Sequence, residues 1–182
     1  ILCDSLLIDV SGLCVAARNA DYVRATFAAS DEAGDCTIIG RKGRFNVAAA
    51  ALVNGTATHG EDYDDTFEGG PIHAGAVIIP ALLATAERHQ LSGADVARGV
   101  AVGSELMCRL CSVAPKLVHK AGFHPTAVFG TLGAAAGVAS ALRLSNTQWV
   151  NALGIAGSMA SGIIEYLAEG TWTKRMHPGW AA

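Results

Sequence analysis

Three histidines, His73, His124 and His177, open the segments "HAGAV", "HPTAV" and "HPGWA", each just ahead of a small-residue helix start. That pattern puts three imidazoles at three helix N-termini. His124, in "AGFHPTAVFG", is the clearest case. The residue before a proline is pushed out of the helical region, so His124 is expected at an N-cap. Helix N-termini carry partial positive charge and unpaired N–H groups that bind carboxylates. The same field disfavours imidazolium and leaves a neutral ring able to act as a base. Further on, "GTWTKRMHPG" gathers Lys174, Arg175 and His177, with Thr173 as an extra hydroxyl donor. Positive charge concentrated in a charge-poor chain suits an anionic substrate.

The stretch "NGTATHGEDYDDTFEGG", residues 54–70, sets Glu61, Asp62, Asp64 and Asp65 beside an Ala-rich apolar run. If the preceding helix continues through it, His59, Asp62 and Thr66 share one face at i, i+3 and i+7. Asp64 and Asp65 then point elsewhere and are expected to bond neighbouring helix ends. "EGGP" breaks the helix before His73. Asp62 and Thr66 are therefore the expected pocket wall, with His59 and His177 behind it. A metal reading competes, because Asp64-Asp65-x-x-Glu68 matches the DDxx(D/E) pattern of Mg²⁺-dependent all-helical isoprenoid enzymes. Those enzymes need an aromatic cavity, and aromatics are only 6% here, with no second acidic motif. No metal ligand is assigned.

These residues must be positioned by helices. Hydrophobic periodicity is helical almost throughout, with strand character only in "CTIIG" at 36–40. Helices are expected at 1–17 (Leu2, Leu6, Asp9 and Leu13 near one face), 21–29 and 46–60, with a polar loop at 30–44. Others run from 92 to about 110, from 125 to about 142 and from 145 to about 168. Ser92-x-x-Asp95 and Ser145-x-x-Gln148 read as capping boxes, and Pro125 suits a first helical turn. Gly130, Gly133 and Gly137 recur at helical spacing, as do Gly154, Gly157 and Ser161. Each Gly costs roughly 1 kcal/mol against Ala in a helix, tolerable where two helices approach closely. These two helices are expected to cross. The fold class is all-α, a helical domain with tightly packed Gly/Ala-rich central helices.

Composition narrows the function. A chain of 182 residues is one domain or part of a larger protein. It is 51% hydrophobic and 16% charged, against about 25% charged in an average protein, so it has much to bury. A net charge of −3 without a Lys/Arg tract argues against nucleic acid. The low-charge runs 74–86 and 125–142 fall short of the ~20 residues of a membrane span. Five cysteines without disulfide-scaffold spacing favour free, buried thiols in a reducing cytoplasm. Cys108-x-x-Cys111 is read as a pair of core thiols. Both chain ends are expected to be cuts within a longer polypeptide.

Five stretches, "ALVNGTATHGEDYDDT", "IHAGAVIIPALLA", "AGFHPTAVFGTLGAAAGVASALRL", "ALGIAGSMASG" and "GTWTKRMHPGWAA", together resemble the MmgE/PrpD family. That family includes 2-methylcitrate dehydratase, cis-aconitate decarboxylase and iminodisuccinate epimerase. The resemblance implies a helical domain joined to an α+β lid domain, here missing, in a homodimer that needs no cofactor. It also implies pocket roles for Asp62, Thr66, His73, His124 and Lys174. The expected function is a cofactor-independent lyase on a small di- or tricarboxylate, with His124 as base or acid. Lys174 and Arg175 would hold carboxylates, and Asp62 would orient His73 or a substrate hydroxyl. An epimerase working by α-proton abstraction and a non-catalytic helical interaction module are the alternatives. Glu68 departs from the family pattern, which carries a His-Pro segment there, and is the expected seat of substrate preference.

Overall fold

The computed structural model describes residues 2–30 and 32–182. Ile1 in the first expected helix and Asp31 in the polar loop lie outside the described residues, as does the side chain of Leu2. The fold is helical: α1 (Leu2–Ala17), α2 (Asp21–Ala28), α3 (Val47–His59), α4 (Gly75–His89), α5 (Gly93–Val113), α6 (Leu117–Lys120), α7 (Pro125–Ala141), α8 (Asn146–Met159), α9 (Tyr166–Glu169) and α10 (Thr173–Ala181). One strand, β1 (Ala33–Cys36), makes isolated antiparallel bridges to Phe45. Among the described residues no helix is long and apolar enough to cross a membrane. All five cysteines carry free thiols.

Local chemistry sets the helix starts. Ser92 and Asp95 form a reciprocal capping box on α5, and Ser145 and Gln148 do the same on α8. Such caps satisfy N–H groups that have no partner inside the helix, typically about 1 kcal/mol each. Asn46 caps α3 by accepting from the Ala49 amide. Within α3, Asn54 is buried and holds the neighbouring loop. Its Oδ1 accepts from the Ile39 amide at 2.9 Å, and its Nδ2 donates to the Thr37 carbonyl at 2.9 Å.

Four expectations change. The buried face of α1 is Val10, Cys14 and Ala17, and Asp9 is exposed. The strand ends at Cys36, the first residue of "CTIIG", and does not continue through it. Alternation there serves to bury Cys36 and Ile38, while Thr37 is tied to Glu87 by its amide and hydroxyl. The helix opened by Ser145 stops at Met159, nine residues early. The next segment pairs instead with the chain before α7: the Gly162 carbonyl accepts from the His124 amide, and the Ile164 amide donates to Gly122. These tertiary bonds outcompete helix continuation. Finally, the glycines of α7 face α5 and α4, not α8. A Cβ on Gly137 would stand 2.9 Å from the Gly99 carbonyl oxygen, and one on Gly103 would stand 2.8 Å from that of Gly133. A Cβ on Gly154 of α8 would meet nothing within 4 Å. The partner ridge is thus Gly99 and Gly103, one turn apart on α5.

A second close approach positions the site. Gly55 of α3 and Gly179 of α10 meet backbone to backbone, where a Cβ on Gly55 would lie 2.6 Å from the Gly179 Cα. This contact lays α10 along α3 and carries Lys174 and His177 toward His59.

The two kinds of glycine predict opposite outcomes. Gly103→Val sets a branched side chain against backbone and should destabilise by about 1–3 kcal/mol. Gly154→Ala adds a methyl in open space and should be neutral or stabilising by up to about 1 kcal/mol. Urea unfolding of both variants checks the pair.

Candidate active site

The site is built where α3 ends. His59 is the last residue of α3 and is fully buried. The chain then turns sharply, with Asp62 at φ 55°, a left-handed conformation that Asp tolerates better than most residues. This turn brings Asp64 back beneath His59. The buried Asp64 Oδ2 accepts from His59 Nδ1 at 2.8 Å. Its Oδ1 stands 3.4 Å from His73 Nδ1, an ion-pair distance without hydrogen-bond alignment. Burial would raise the Asp64 pKa, but the two imidazoles outweigh it and hold the carboxyl well below the usual range. His73 responds in the opposite sense. Burial opposes its charge, yet the Asp64 carboxylate keeps its pKa above the ordinary imidazole value.

Asp65 takes the next task. Its Oδ1 accepts from the Gly75 amide at 2.8 Å, at the first turn of α4. Burial and the neighbouring Asp64 charge raise its pKa. Glu61 accepts from the Tyr22 hydroxyl at 2.8 Å, and the Arg175 guanidinium stacks 4.7 Å above that Tyr22 ring. Asp62 pairs with Lys174 of α10.

His124 occupies the N-cap position of α7, but its side chain does not cap the helix. Its Nδ1 lies 3.2 Å from Nδ1 of His177. Two imidazole nitrogens at that distance share one proton, so one ring donates and the other accepts. Burial, then the nearby His59, His177 and Lys174, push the His124 pKa down to about 2. His177 is lowered by burial and by His59. His59 bridges the two halves, its ring centroid 4.8 Å from that of His73 and 5.5 Å from that of His124. Tyr166, opening α9, lies edge-on to His124 and His177 at 5.9 and 5.6 Å.

A cavity of about 550 Å³ opens on this cluster, lined by Asp62, His73, His124, Tyr166, Lys174 and Arg175 among others. Its wall therefore combines an ammonium, a guanidinium, an imidazole with a raised pKa and an imidazole held neutral. A larger cavity of about 620 Å³ is lined mostly by Ala and Val47, Leu52, Met159 and Trp180, and gathers no such groups. Ligand atoms of His59, Asp64 and His73 lie within 4.8 Å of one another, close enough to share a cation. The ring nitrogen of His59 nearest Asp64 is already committed to it.

The match to known proteins agrees with this geometry. Residues 3–182 match the model of the MmgE/PrpD N-terminal domain. The chain belongs to the MmgE/PrpD family. A cis-aconitate decarboxylase-like protein, oryM, of Aspergillus oryzae is 34% identical over 158 residues, covering 82% of this chain and 32% of that protein. The human cis-aconitate decarboxylase is 41% identical over 138 residues, 73% of this chain and 28% of that enzyme. The Aspergillus terreus cis-aconitate decarboxylase is 30% identical over 168 residues, 88% of this chain and 34% of that enzyme. The chain thus spans about a third of the length of these MmgE/PrpD relatives.

Against this family frame, the expected site residues divide. His59, Asp62, His73, His124, Lys174, Arg175 and His177 come together on or behind one cavity. Thr66 is exposed and does not line it, because the helix ends at His59 and the i+7 relation never forms. Glu68 is likewise exposed and off the cavity wall, so it touches no ligand held there. Asp64, Asp65 and Glu68 point to separate places and do not converge as a DDxxE cation site. His177 lies inside α10, not at its start. Asp62 pairs with Lys174, and the carboxylate beside His73 at 3.4 Å is Asp64. Asp64, expected to bond a neighbouring helix end, does so through His59 at the end of α3, and Tyr166 on the cavity wall was not among the expected residues. A lone Tyr in the short segment between Gly162 and Gly170, just before "TWTK", is the available signal for Tyr166.

The buried charge predicts a pH response. A depressed folded-state carboxyl pKa stabilises the fold above the unfolded value and is lost as pH falls through the folded one. A raised imidazole pKa stabilises below the unfolded value and is lost as pH rises through the folded one. Asp64 should therefore contribute a fall in unfolding free energy on acidification below about pH 4 and His73 a fall above about pH 7, while His124 and His177, held below the ordinary imidazole value, add a fall that starts below about pH 6.5. In Asp64→Asn the first two slopes should flatten, as read by urea titrations from pH 3 to 9.

Proposed function

We propose that this chain supplies the acid–base part of an active site for a lyase that decarboxylates or dehydrates a small di- or tricarboxylate, with cis-aconitate as the first candidate. The supporting observation is the convergence of Lys174, Arg175, His73 with its raised pKa and His124 with its lowered one on one cavity. A polycarboxylate needs fixed cations to hold it, and the Lys174 ammonium and Arg175 guanidinium meet that need. Asp62 pairs with Lys174 at the cavity wall, so an entering carboxylate competes with it. The relatives' names favour decarboxylation over the other family reactions.

In decarboxylation of cis-aconitate, the C–CO₂ bond breaks and its electron pair forms a new C=C. The pair of the former double bond takes up a proton at carbon. His73 is the donor assigned to this chemistry, because it is the imidazole on the cavity wall whose pKa is raised, by the Asp64 carboxylate. His124, held neutral, offers Nε2 as a hydrogen-bonding or basic nitrogen while Nδ1 engages His177. Dehydration draws on the same two rings, with His124 taking the α-proton and His73 protonating the departing hydroxyl.

In the full-length protein, His124→Ala and Lys174→Ala should each lower turnover of cis-aconitate or 2-methylcitrate by at least ~10²-fold with folding intact. CO₂ release and loss of water are the assays. Unchanged turnover removes the residue roles. Exchange of the α-proton in D₂O without loss of CO₂ or water replaces the lyase by an epimerase.

A further inference from the structure

Asp64 is the most deeply withdrawn charge in the site. Its side chain is fully shielded from solvent and does not line the cavity. A carboxylate taken out of water costs several kcal/mol unless it is paired where it lies. Its close polar partners here are imidazoles from two different elements. His59 ends α3, and His73 precedes α4 by two residues. Three further polar atoms, Asp64 Oδ1, His73 Nδ1 and His59 Nε2, are buried with no hydrogen bond. Oδ1 and Nδ1 face each other at 3.4 Å, so a small closure completes a second carboxylate–imidazole bond. A structural carboxylate would be expected to cap a helix or bond a loop amide, as its neighbour Asp65 does on Gly75.

We propose that Asp64 is the positioning residue of this site. It fixes His59 with its proton on Nδ1 and holds His73 as a charged proton donor at the cavity wall, without touching substrate. The proposal rests on the reading of His73 given above. The groups that bear on His73 are Asp64, Asp62 and Asp65 of the 60–72 loop, His59 of α3, His124 of α7 and Lys174 of α10. Asp64 and Asp62 favour its charge and Lys174 opposes it. Asp62 is turned toward Lys174, and Asp65 is bonded to Gly75, which leaves Asp64 as the carboxylate committed to His73.

The test is Asp64→Asn in the full-length enzyme, which keeps the shape and removes the charge. Activity that needs charged His73 falls as pH rises through the His73 pKa. The variant should therefore move the alkaline limb of kcat/KM down by about one pH unit or more. At neutral pH turnover should drop about tenfold or more and recover toward wild type on acidification. An equal loss at every pH, or an unmoved profile, overturns the proposal. In a His73→Gln background, Asp64→Asn should add less than about twofold, because its route to the reaction is already gone. Multiplying losses also overturn it. A second arm needs no substrate and no variant. Ring-¹⁵N histidine spectra of the wild-type enzyme at pH 7 should show His59 protonated at Nδ1 and His73 protonated at both nitrogens. A neutral His73 sinks the proposal whatever the substrate. Failure of cis-aconitate and 2-methylcitrate as substrates leaves this spectrum intact and bears on the proposed function alone.

Discussion

A negative charge removed from water has to be answered where it lies, and much of the site's layout follows from how Asp64 is answered. Its partner His59 must sit at the end of α3, so the helix stops there. The chain must double back within five residues, which forces Asp62 into the left-handed region. Asp65 then fastens the far end of the same loop to the start of α4. The acidic stretch is therefore pinned at both ends. Its acids are divided among four partners: Tyr22, Lys174, the His59–His73 pair and the Gly75 amide.

Around that loop the fold trades side-chain bulk for proximity. Alanine and glycine bury little apolar area each, but they let α5 meet α7 and α3 meet α10 almost at backbone contact. Close approach matters because the functional side chains are short. An imidazole reaches only a few ångströms from its Cα, so four of them gather only if their helices nearly touch. The Gly55–Gly179 contact and the His124–His177 pair are two consequences of the same packing.

The helical class and most helix starts were legible, because capping boxes and proline act within one turn of sequence. Ser92, Ser145 and Pro125 each sit where their local chemistry puts them. The convergence of His73, His124 and Lys174 was legible only through family resemblance, since nothing local records which helices meet. What failed was extrapolation along a helix. The i, i+3, i+7 face of His59, Asp62 and Thr66 assumed that α3 continues, and it promoted Thr66 while setting Asp64 aside. The end of α8 and the partner of the α7 glycines failed for a related reason. Both are decided by residues far away in sequence, Gly122 and His124 in one case and Gly99 and Gly103 in the other.

The Asp62–Lys174 pair joins residues 112 positions apart, and His124 meets His177 across 53. A ribosome emits His59, Asp64 and His73 long before α10. During synthesis the loop can pair its buried carboxylate early, while the cavity still lacks its cations. The ammonium and guanidinium of the cavity wall thus arrive with α10, and the cavity lacks them until that helix docks on α3.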